Sequence, residues 1–206
     1  MIVVAQAVRE PQQSVLIRQM FEARKRVFVD LLKWDIPVLA DRFEVDQFDT
    51  PDALYLIVAD ENGDHCGSAR LLPTDRAHIL DTLFPRLCAV PIPRGAGVQE
   101  ITRFCLDPRA NGRVRRQVRH QLVTALVDHA LATGIERYAG VAELNWLQQI
   151  LAFGWACRPL GLPRPIGGKM LGALQIDIDA GTPALLSANG IYASKHPAPA
   201  GLAKAA

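Results

Sequence analysis

The sequence of 206 residues lacks several features that would assign a class at once. No run approaches the roughly 18–20 consecutive apolar residues of a membrane span. The start, MIVVAQAVREPQQ, has no basic segment and no long apolar one, so we expect no signal peptide. The 4 cysteines lie far apart without a C-x-x-C pair, which argues against a zinc site or a redox motif. We therefore expect a cytoplasmic protein with reduced thiols.

The chain also has little net charge. Its 23 basic and 21 acidic residues leave a formal charge of +2, so attraction to nucleic acid would need a local patch, and we expect no nucleic-acid partner. Apolar residues make up 50% and charged residues 21%, which is usual for a folded domain. The length suits one domain, predicted at residues 1–181, and the Pro- and Ala-rich residues 182–206 are expected to form a loosely packed tail.

The hydrophobic pattern predicts a mixed α/β (α+β) domain. Helices are predicted at residues 11–34, 76–88, 112–134 and 143–154, and strands at 2–8, 53–60, 65–72, 98–107, 135–142, 155–160 and 170–179. The Asn62-Gly63 turn makes the second and third strands a hairpin, and residues 35–52 read as a long loop. This order predicts one mixed, mostly antiparallel sheet that is flanked by helices.

The long loop contains an unusual acidic segment, EVDQFDT, with Glu44, Asp46 and Asp49. Two arginines, Arg70 and Arg103, stand in largely apolar strand segments, and a third, Arg24, lies in the predicted first helix. Buried charges are costly unless they are paired, and these arginines match the carboxylates in number. The sequence therefore predicts that the six groups meet. The alternative, that the strand charges lie at an exposed edge and only keep the surface soluble, stays open.

Glu100 and Arg103 share one predicted strand, VQEITRFCLD. Because their spacing is odd, a regular strand would place them on opposite faces of the sheet. A bulge near residues 101–103 would turn both side chains toward one cleft, and we predict such a bulge.

A second cluster, DPRANGRVRR, joins this strand to the longest helix. Its residues 109–114 approach the R/Q-x-x-G-x-G/A phosphate loop of N-acyltransferases, with Val114 in place of the final small residue. Backbone N–H groups and the positive dipole of a helix N-terminus favour an anion there. The alternative is a solvated helix face.

Taken in order, RKRVF, Trp34, EVDQFD, SARLLPT, LFP and EITRF resemble the acyl-homoserine-lactone synthases, the autoinducer synthases of quorum-sensing bacteria. The resemblance covers roughly residues 20–160. It implies an N-acyltransferase-like three-layer sandwich and a reaction between an acyl thioester and S-adenosylmethionine. The thioester would be carried by acyl-carrier protein or CoA, and the product lactone would form with release of methylthioadenosine. Neither metal nor cofactor is implied.

The resemblance also implies the site residues. Catalytic roles fall on Glu100, as the base, and on Arg103. Binding of S-adenosylmethionine falls on Arg24, Phe28, Trp34, Asp46, Asp49, Arg70 and Phe104, with the two aspartates opposite its sulfonium and ammonium. Apart from the resemblance, the basic start of the longest helix makes Arg109, Gly112, Arg113 and Arg116 our candidates for binding the donor. An acyl slot would use Val141, Leu144, Trp146, Leu147, Ile150 and Phe153, although apolar residues at helical spacing are more often core. Backbone N–H groups near residues 103–106 are expected to stabilise the oxyanion.

Two other functions stay open at this point. A plain N-acetyltransferase that uses acetyl-CoA and another amine would show a cleaner glycine-rich loop and no acidic N-terminal loop. A catalytically inactive module that binds a signal or docks a carrier protein would leave Glu100 and the aspartates without a role.

Overall fold

The computed structural model describes residues 1–6 and 11–192. The strands are β1 (Ile2–Gln6), β2 (Val38–Leu39), β3 (Phe43–Glu44), β4 (Leu54–Ala59), β5 (His65–Pro73), β6 (Val98–Leu106), β7 (Arg137–Glu143), β8 (Ala156–Pro159), β9 (Arg164–Ile166) and β10 (Lys169–Asp177). The helices are α1 (Pro11–Arg24), α2 (Ile79–Thr82), α3 (Gly112–Thr133), α4 (Leu144–Leu151) and α5 (Thr182–Ala188). A π-helical segment spans Lys25–Leu31, and a 3₁₀ turn spans Pro85–Leu87.

Eight of the strands form one sheet in the order β1-β4-β5-β6-β7-β10-β8, with β9 also paired to β10. Strands β6 and β7 are parallel, and the other neighbours in this sheet are antiparallel. The prediction of a single mixed, mostly antiparallel sheet is confirmed. The predicted long loop contains a small ribbon of its own, in which β2 pairs with β3.

Helices cover both faces of the sheet. On β4, Leu56 and Val58 pack into the core beneath α3, whereas Tyr55 and Ile57 pack into the core beneath α1. Successive strand residues point to opposite faces, so a strand that is buried on both sides must be apolar throughout. This explains the uninterrupted run LYLIVA and confirms the three-layer sandwich.

The predicted bulge lies in β6. The register passes from Ser68 opposite Cys105 to Arg70 opposite Thr102, which leaves one extra residue on β6. Arg103 at this point has a φ of 50°, which is uncommon outside glycine. The bulge brings Glu100 and Arg103 to the same cavity despite their odd spacing.

The parallel pairing of β6 with β7 is short. It runs from Val98 opposite Arg137 to Ile101 opposite Gly140. Both strands continue beyond this point, to Leu106 and Glu143, without further pairing between them in the described part of the chain. The sheet therefore splays open, and the gap becomes a cavity.

Two predicted elements differ from the structure. The helix expected at residues 76–88 is broken into α2 and the 3₁₀ turn, because Pro85 cannot donate a backbone N–H and disfavours a helical residue before it. The loose tail expected from residue 182 is not found over residues 182–192. Helix α5 lies there, and Leu186 and Ile191 are buried in the core beneath α3. Residues 193–206 of that tail, and residues 7–8 of the first predicted strand, lie outside the described residues.

Candidate functional site

A cavity of about 1100 Å³ occupies the gap between β6 and β7. One side is formed by the π-helical segment and the residues that follow it, including Phe28 and Trp34. The opposite side is formed by α3 and α4, and Glu100 and Arg103 lie in the wall that β6 contributes.

The three arginines and three carboxylates that were predicted to pair do so beside this cavity. We call Arg24, Arg70, Arg103, Glu44, Asp46 and Asp49 the charge cluster. Arg24 donates to both Asp49 oxygens at 2.8 and 2.9 Å and to Glu44 Oε2 at 2.5 Å. Arg70 donates to both Asp46 oxygens at 2.7 and 3.0 Å. Arg103 bridges Glu44 at 3.0 Å and Asp46 at 2.7 Å.

These pairs keep Asp46 and Asp49 ionised although both side chains are buried. Burial alone would raise the pKa of Asp49, but the hydrogen bond from Arg24 and the charges of Arg24 and Arg70 hold it well below its usual range. The pKa of Asp46 is likewise lowered, against burial, by the hydrogen bond and charge of Arg70 and the charge of Arg103. Three arginines balance three carboxylates, so the cluster has no formal net charge.

The cluster divides into members at the cavity and members behind it. Asp46 and Arg103 line the cavity. Arg24, Arg70 and Asp49 are outside its lining and support the other two from behind; Tyr55 adds a hydrogen bond to Asp49 at 2.8 Å. Thus the structure brings only one of the two predicted cation-binding aspartates to the cavity wall.

Glu100 lies in a different environment from the cluster. It is fully buried, and its two oxygens accept the N–H groups of Ile79 at 2.8 Å and Leu80 at 2.9 Å, at the start of α2. Burial raises its pKa to about 7, against the two backbone hydrogen bonds and the charges of Arg70 and Arg103. A carboxylate that titrates near neutral pH and lies at a cavity wall suits a general base. Sequence spacing gave no indication of the two N–H donors.

An aromatic pair forms the N-terminal wall. The rings of Phe28 and Trp34 stack with centroids 4.7 Å apart, and the Arg103 guanidinium lies 5.5 and 5.8 Å from them. The Trp34 indole donates to Glu143 at 2.9 Å, and Lys169 binds Glu143 at 2.5 Å. Lys169 also donates to the Leu32 carbonyl at 3.0 Å.

We call Trp34, Glu143 and Lys169 the clasp, since they join the N-terminal segment to the far half of the splayed sheet. Glu143 and Lys169 are not among the site residues predicted from the sequence. Both are single charges near strand ends, and no local pattern distinguishes them.

The apolar part of the cavity lies between the sheet and helices α3 and α4. Here Phe104, Trp146 and Phe153 follow one another at centroid distances of 5.2 and 5.8 Å. Of the six residues predicted for an acyl slot, the cavity lining includes Val141, Trp146, Ile150 and Phe153. Leu144 and Leu147 lie outside the lining; Leu147 belongs to the core beneath α3, and Leu144 packs against that core.

The predicted donor region is partly at the cavity. Gly112 and Arg116 line it, together with Arg115 and Arg119. Arg113 is outside the lining, and Arg109 folds back onto Asp107 at 2.6 Å. One N–H at the start of α3, that of Val114, is already bound by Asn111 at 3.0 Å. Arg115 and Arg119 were not predicted to contact the donor. They lie three and seven positions after Gly112, and residues at this spacing share a helix face, so the sequence could have indicated both.

Two further observations bear on the chemistry of the site. Among the described residues, no three His, Cys, Asp or Glu side chains are grouped so that they could hold a metal ion. Nor does any helix within residues 1–6 and 11–192 combine the length and apolarity needed to cross a bilayer. The cavity thus combines a buried base, an aromatic wall with Asp46 beside it, an apolar slot and a cationic mouth.

Comparison with known proteins places this site in a family context. The autoinducer synthase family matches residues 8–184. An acyl-homoserine-lactone synthase of Ralstonia nicotianae is 36% identical over 182 residues, which cover 86% of this chain and 88% of that protein. The solved structure of TofI in a ternary complex with an inhibitor and MTA is 34% identical, with a TM-score of 0.74, and covers 91% of this chain and 96% of that chain.

A second solved structure is that of BjaI, a CoA-dependent acyl-homoserine lactone synthase, with SAM and isopentyl-CoA. It is 27% identical, with a TM-score of 0.81, and the match covers 96% of this chain and 94% of that chain. The similarity to these proteins therefore extends over nearly the whole length of both chains.

Proposed function

Because this chain belongs to the autoinducer synthase family, we propose that its cavity carries out acyl-homoserine-lactone synthesis with Glu100 as the general base. The reaction acylates the amine of S-adenosylmethionine from an acyl thioester and then closes the lactone, releasing methylthioadenosine. The observation that carries the assignment of Glu100 is its burial at the cavity wall, with a pKa of about 7.

In the first step, Glu100 removes a proton from the ammonium of S-adenosylmethionine, directly or through one water. Each Glu100 oxygen accepts one backbone N–H, and a carboxylate has about four acceptor positions, so lone pairs remain for the proton. The free amine attacks the thioester carbonyl, the C–S bond breaks, and the thiolate leaves with a proton. Beyond Ile101, β6 is unpaired toward β7 among the described residues, and its N–H groups there are our candidates for stabilising the oxyanion.

In the second step, the carboxylate oxygen of the acylated substrate attacks the carbon that bears the sulfonium. The C–S bond breaks and methylthioadenosine leaves as a neutral molecule, so this step requires orientation more than acid or base. Phe28 and Trp34 supply an aromatic surface that attracts the sulfonium.

We assign binding of the substrate cation to Asp46, since it lies at the cavity, and a positioning role to Arg24, Arg70 and Asp49, which lie behind it. The bidentate pair of Arg70 with Asp46 fixes the orientation of that carboxylate. Arg103, at the bulge, contacts both Asp46 and the aromatic wall, which supports our assignment of this side chain to the substrate carboxylate.

The acyl chain occupies the slot formed by Val141, Trp146, Ile150 and Phe153, and the donor reaches it past Gly112 and Arg116. The SAM and isopentyl-CoA bound to BjaI support a cavity that holds both substrates together. Since both substrates are metabolites of the cell interior, we also propose that the protein acts in the cytoplasm and needs no cofactor beyond them. Family membership disfavours the plain N-acetyltransferase and the inactive module.

The test is direct. The purified protein is incubated with S-adenosylmethionine and a panel of acyl-CoA and acyl-carrier-protein thioesters, and mass spectrometry follows lactone and methylthioadenosine. We expect both products in equal amounts from at least one thioester. Absence of methylthioadenosine with every donor would overturn the proposed function. The Glu100→Gln variant is the matched control for background aminolysis.

A further inference from the structure

The half-buried Arg119 is a cation at the cavity that no opposite charge contacts within the described residues. Arg119 lies on α3, is half-buried and lines the cavity. Its Nη1 donates to the neutral Gln149 side chain at 3.0 Å, and its guanidinium lies 5.5 Å from the centre of the Phe153 ring. Its Nε is buried without a hydrogen-bond partner. Within the described residues, no carboxylate lies within ion-pair distance of it.

The other buried arginines beside the cavity differ from Arg119, because they form ion pairs. Arg24, Arg70 and Arg103 each bind carboxylates at 3.0 Å or less. A buried N–H without an acceptor lowers stability, so such groups in a folded protein usually have a functional reason. Burial and the nearby charge of Arg116 lower the pKa of Arg119, as expected for a cation that lacks a counter-charge. Nε itself is covered by the surrounding atoms, but Nη2 is neither buried nor hydrogen-bonded within the described residues, so the guanidinium can donate from Nη2 to a ligand oxygen in the cavity.

The position of Arg119 along α3 indicates which part of a ligand it meets. Gly112, Arg115, Arg116, Arg119, Val123 and Leu126 form one cavity-facing stripe of the helix. Along this stripe, the side chains are cationic from Arg115 to Arg119 and apolar at Val123 and Leu126. An acyl chain suits the apolar part, so we expect the polar arm of the acyl donor to lie along Arg119 and the residues nearer to Gly112.

Two further observations indicate which group of the donor Arg119 contacts. Arg119 follows Gly112 by seven residues, or about 10 Å along the helix axis, which separates it from an anion at the helix N-terminus. Its partner Gln149 is exposed, so the pair stands at the mouth of the cavity rather than at its closed end. A carrier protein is far too large for a cavity of about 1100 Å³, so only the thin arm that joins it to the acyl group can pass this mouth.

We propose that Arg119 binds a carbonyl of the pantetheine arm of the acyl donor, namely the amide farther from sulfur. This inference rests on the proposed function. The arm is common to carrier-protein and CoA thioesters, so Arg119 recognises either donor. It binds the donor and takes no part in the chemistry.

The experiment uses Arg119→Met, which keeps an apolar stem over Phe153 and removes the donors. Three thioesters of one acyl group are compared: acyl-CoA, acyl-pantetheine, which lacks the phosphates, and acyl-N-acetylcysteamine, which lacks the farther amide. We expect the KM for acyl-CoA and acyl-pantetheine to rise at least tenfold, equivalent to about 1.4 kcal/mol, with kcat unchanged. The N-acetylcysteamine thioester should keep its wild-type KM and kcat, which also shows that the variant is folded.

The other outcomes overturn the inference. Loss with acyl-CoA alone would place Arg119 at the phosphates, and equal loss with all three donors would place it at the acyl chain or show a structural effect. No loss with any donor would mean that Arg119 does not bind the arm. Arg86→Met, at an exposed arginine far along the chain from α3, is the matched control and should behave as wild type. If the wild type itself forms no lactone from any donor, the proposed function fails instead.

Discussion

Replacing Glu100 with glutamine should remove the pH dependence that this carboxylate gives to acyl transfer. Glutamine has nearly the same shape and can still accept a backbone N–H from α2, but it cannot take a proton from the substrate amine. We expect kcat to fall by roughly 10²–10⁴, the usual contribution of a general base. Binding of S-adenosylmethionine should change little.

The pKa of Glu100 determines the shape of the profile. With a pKa of about 7, roughly one tenth of the side chains are ionised at pH 6 and roughly nine tenths at pH 8. Only the ionised form is a base, so the contribution of Glu100 to kcat/KM should rise about tenfold across this interval. If the pKa were at its ordinary value of 4.5, that contribution would be nearly constant above pH 6.

The substrate amine also titrates, and it would obscure a profile of the wild type alone. The quantity to plot is therefore the ratio of wild-type to Glu100→Gln kcat/KM, measured by methylthioadenosine release, because the substrate contribution cancels. Glu136→Gln, at an exposed glutamate, should give a flat ratio near one. A ratio for Glu100→Gln that does not vary between pH 6 and pH 8, or wild-type rates in that variant, would refute the assignment.

The pH dependence of the unfolding free energy gives an independent test of the raised pKa of Glu100. The folded state holds the Glu100 proton more tightly than the unfolded state does, so stability is lost as pH rises from 4.5 toward 7. The loss from this side chain amounts to about 3 kcal/mol and should be absent in Glu100→Gln. Urea unfolding of both proteins at pH 5 and pH 7.5 measures the difference, and parallel behaviour of the two would contradict the raised pKa.

Three other substitutions test the surroundings. Arg24→Met leaves buried carboxylates short of a partner and should lower the unfolding free energy by about 3 kcal/mol in urea titrations, whereas Arg42→Met, at an exposed surface pair, should change it by under about 1 kcal/mol. Asp46→Asn should raise the Kd for S-adenosylmethionine severalfold in calorimetry; an unchanged Kd would exclude Asp46 as its cation contact. Lys169→Met removes the bridge from Glu143 to the Leu32 carbonyl, so we expect faster hydrogen exchange at residues 25–34 and a higher KM for S-adenosylmethionine; unchanged exchange would count against the clasp.

The order and type of most elements were predictable from the sequence, because they depend on the spacing of apolar residues along short segments. The bulge in β6 was predictable for a similar reason, since the odd separation of Glu100 and Arg103 conflicts with the period of a strand. The pairing of three arginines with three carboxylates followed from their number and from the cost of burying single charges.

The positions of these groups relative to the cavity could not be predicted in this way. Whether Asp46 or Asp49 reaches the cavity depends on how the loop folds over β5, and the N–H groups that hold Glu100 come from a short helix twenty positions earlier in the chain. Trp34 meets Glu143 across 109 positions, and this contact exists only because the sheet order carries β7 to the far side of the gap.

The sequence by itself therefore determined which groups this protein must pair and which elements it can form, since local periodicity and charge balance are properties of the chain. The tertiary structure alone decided which of those groups face the substrates. A cavity wall is assembled from strands and helices that are distant in sequence, and the opening between β6 and β7, where their pairing ends at Ile101 and Gly140, sets its position. For the same reason, only the folded chain distinguishes Arg119, which lacks a counter-charge, from the arginines that have one.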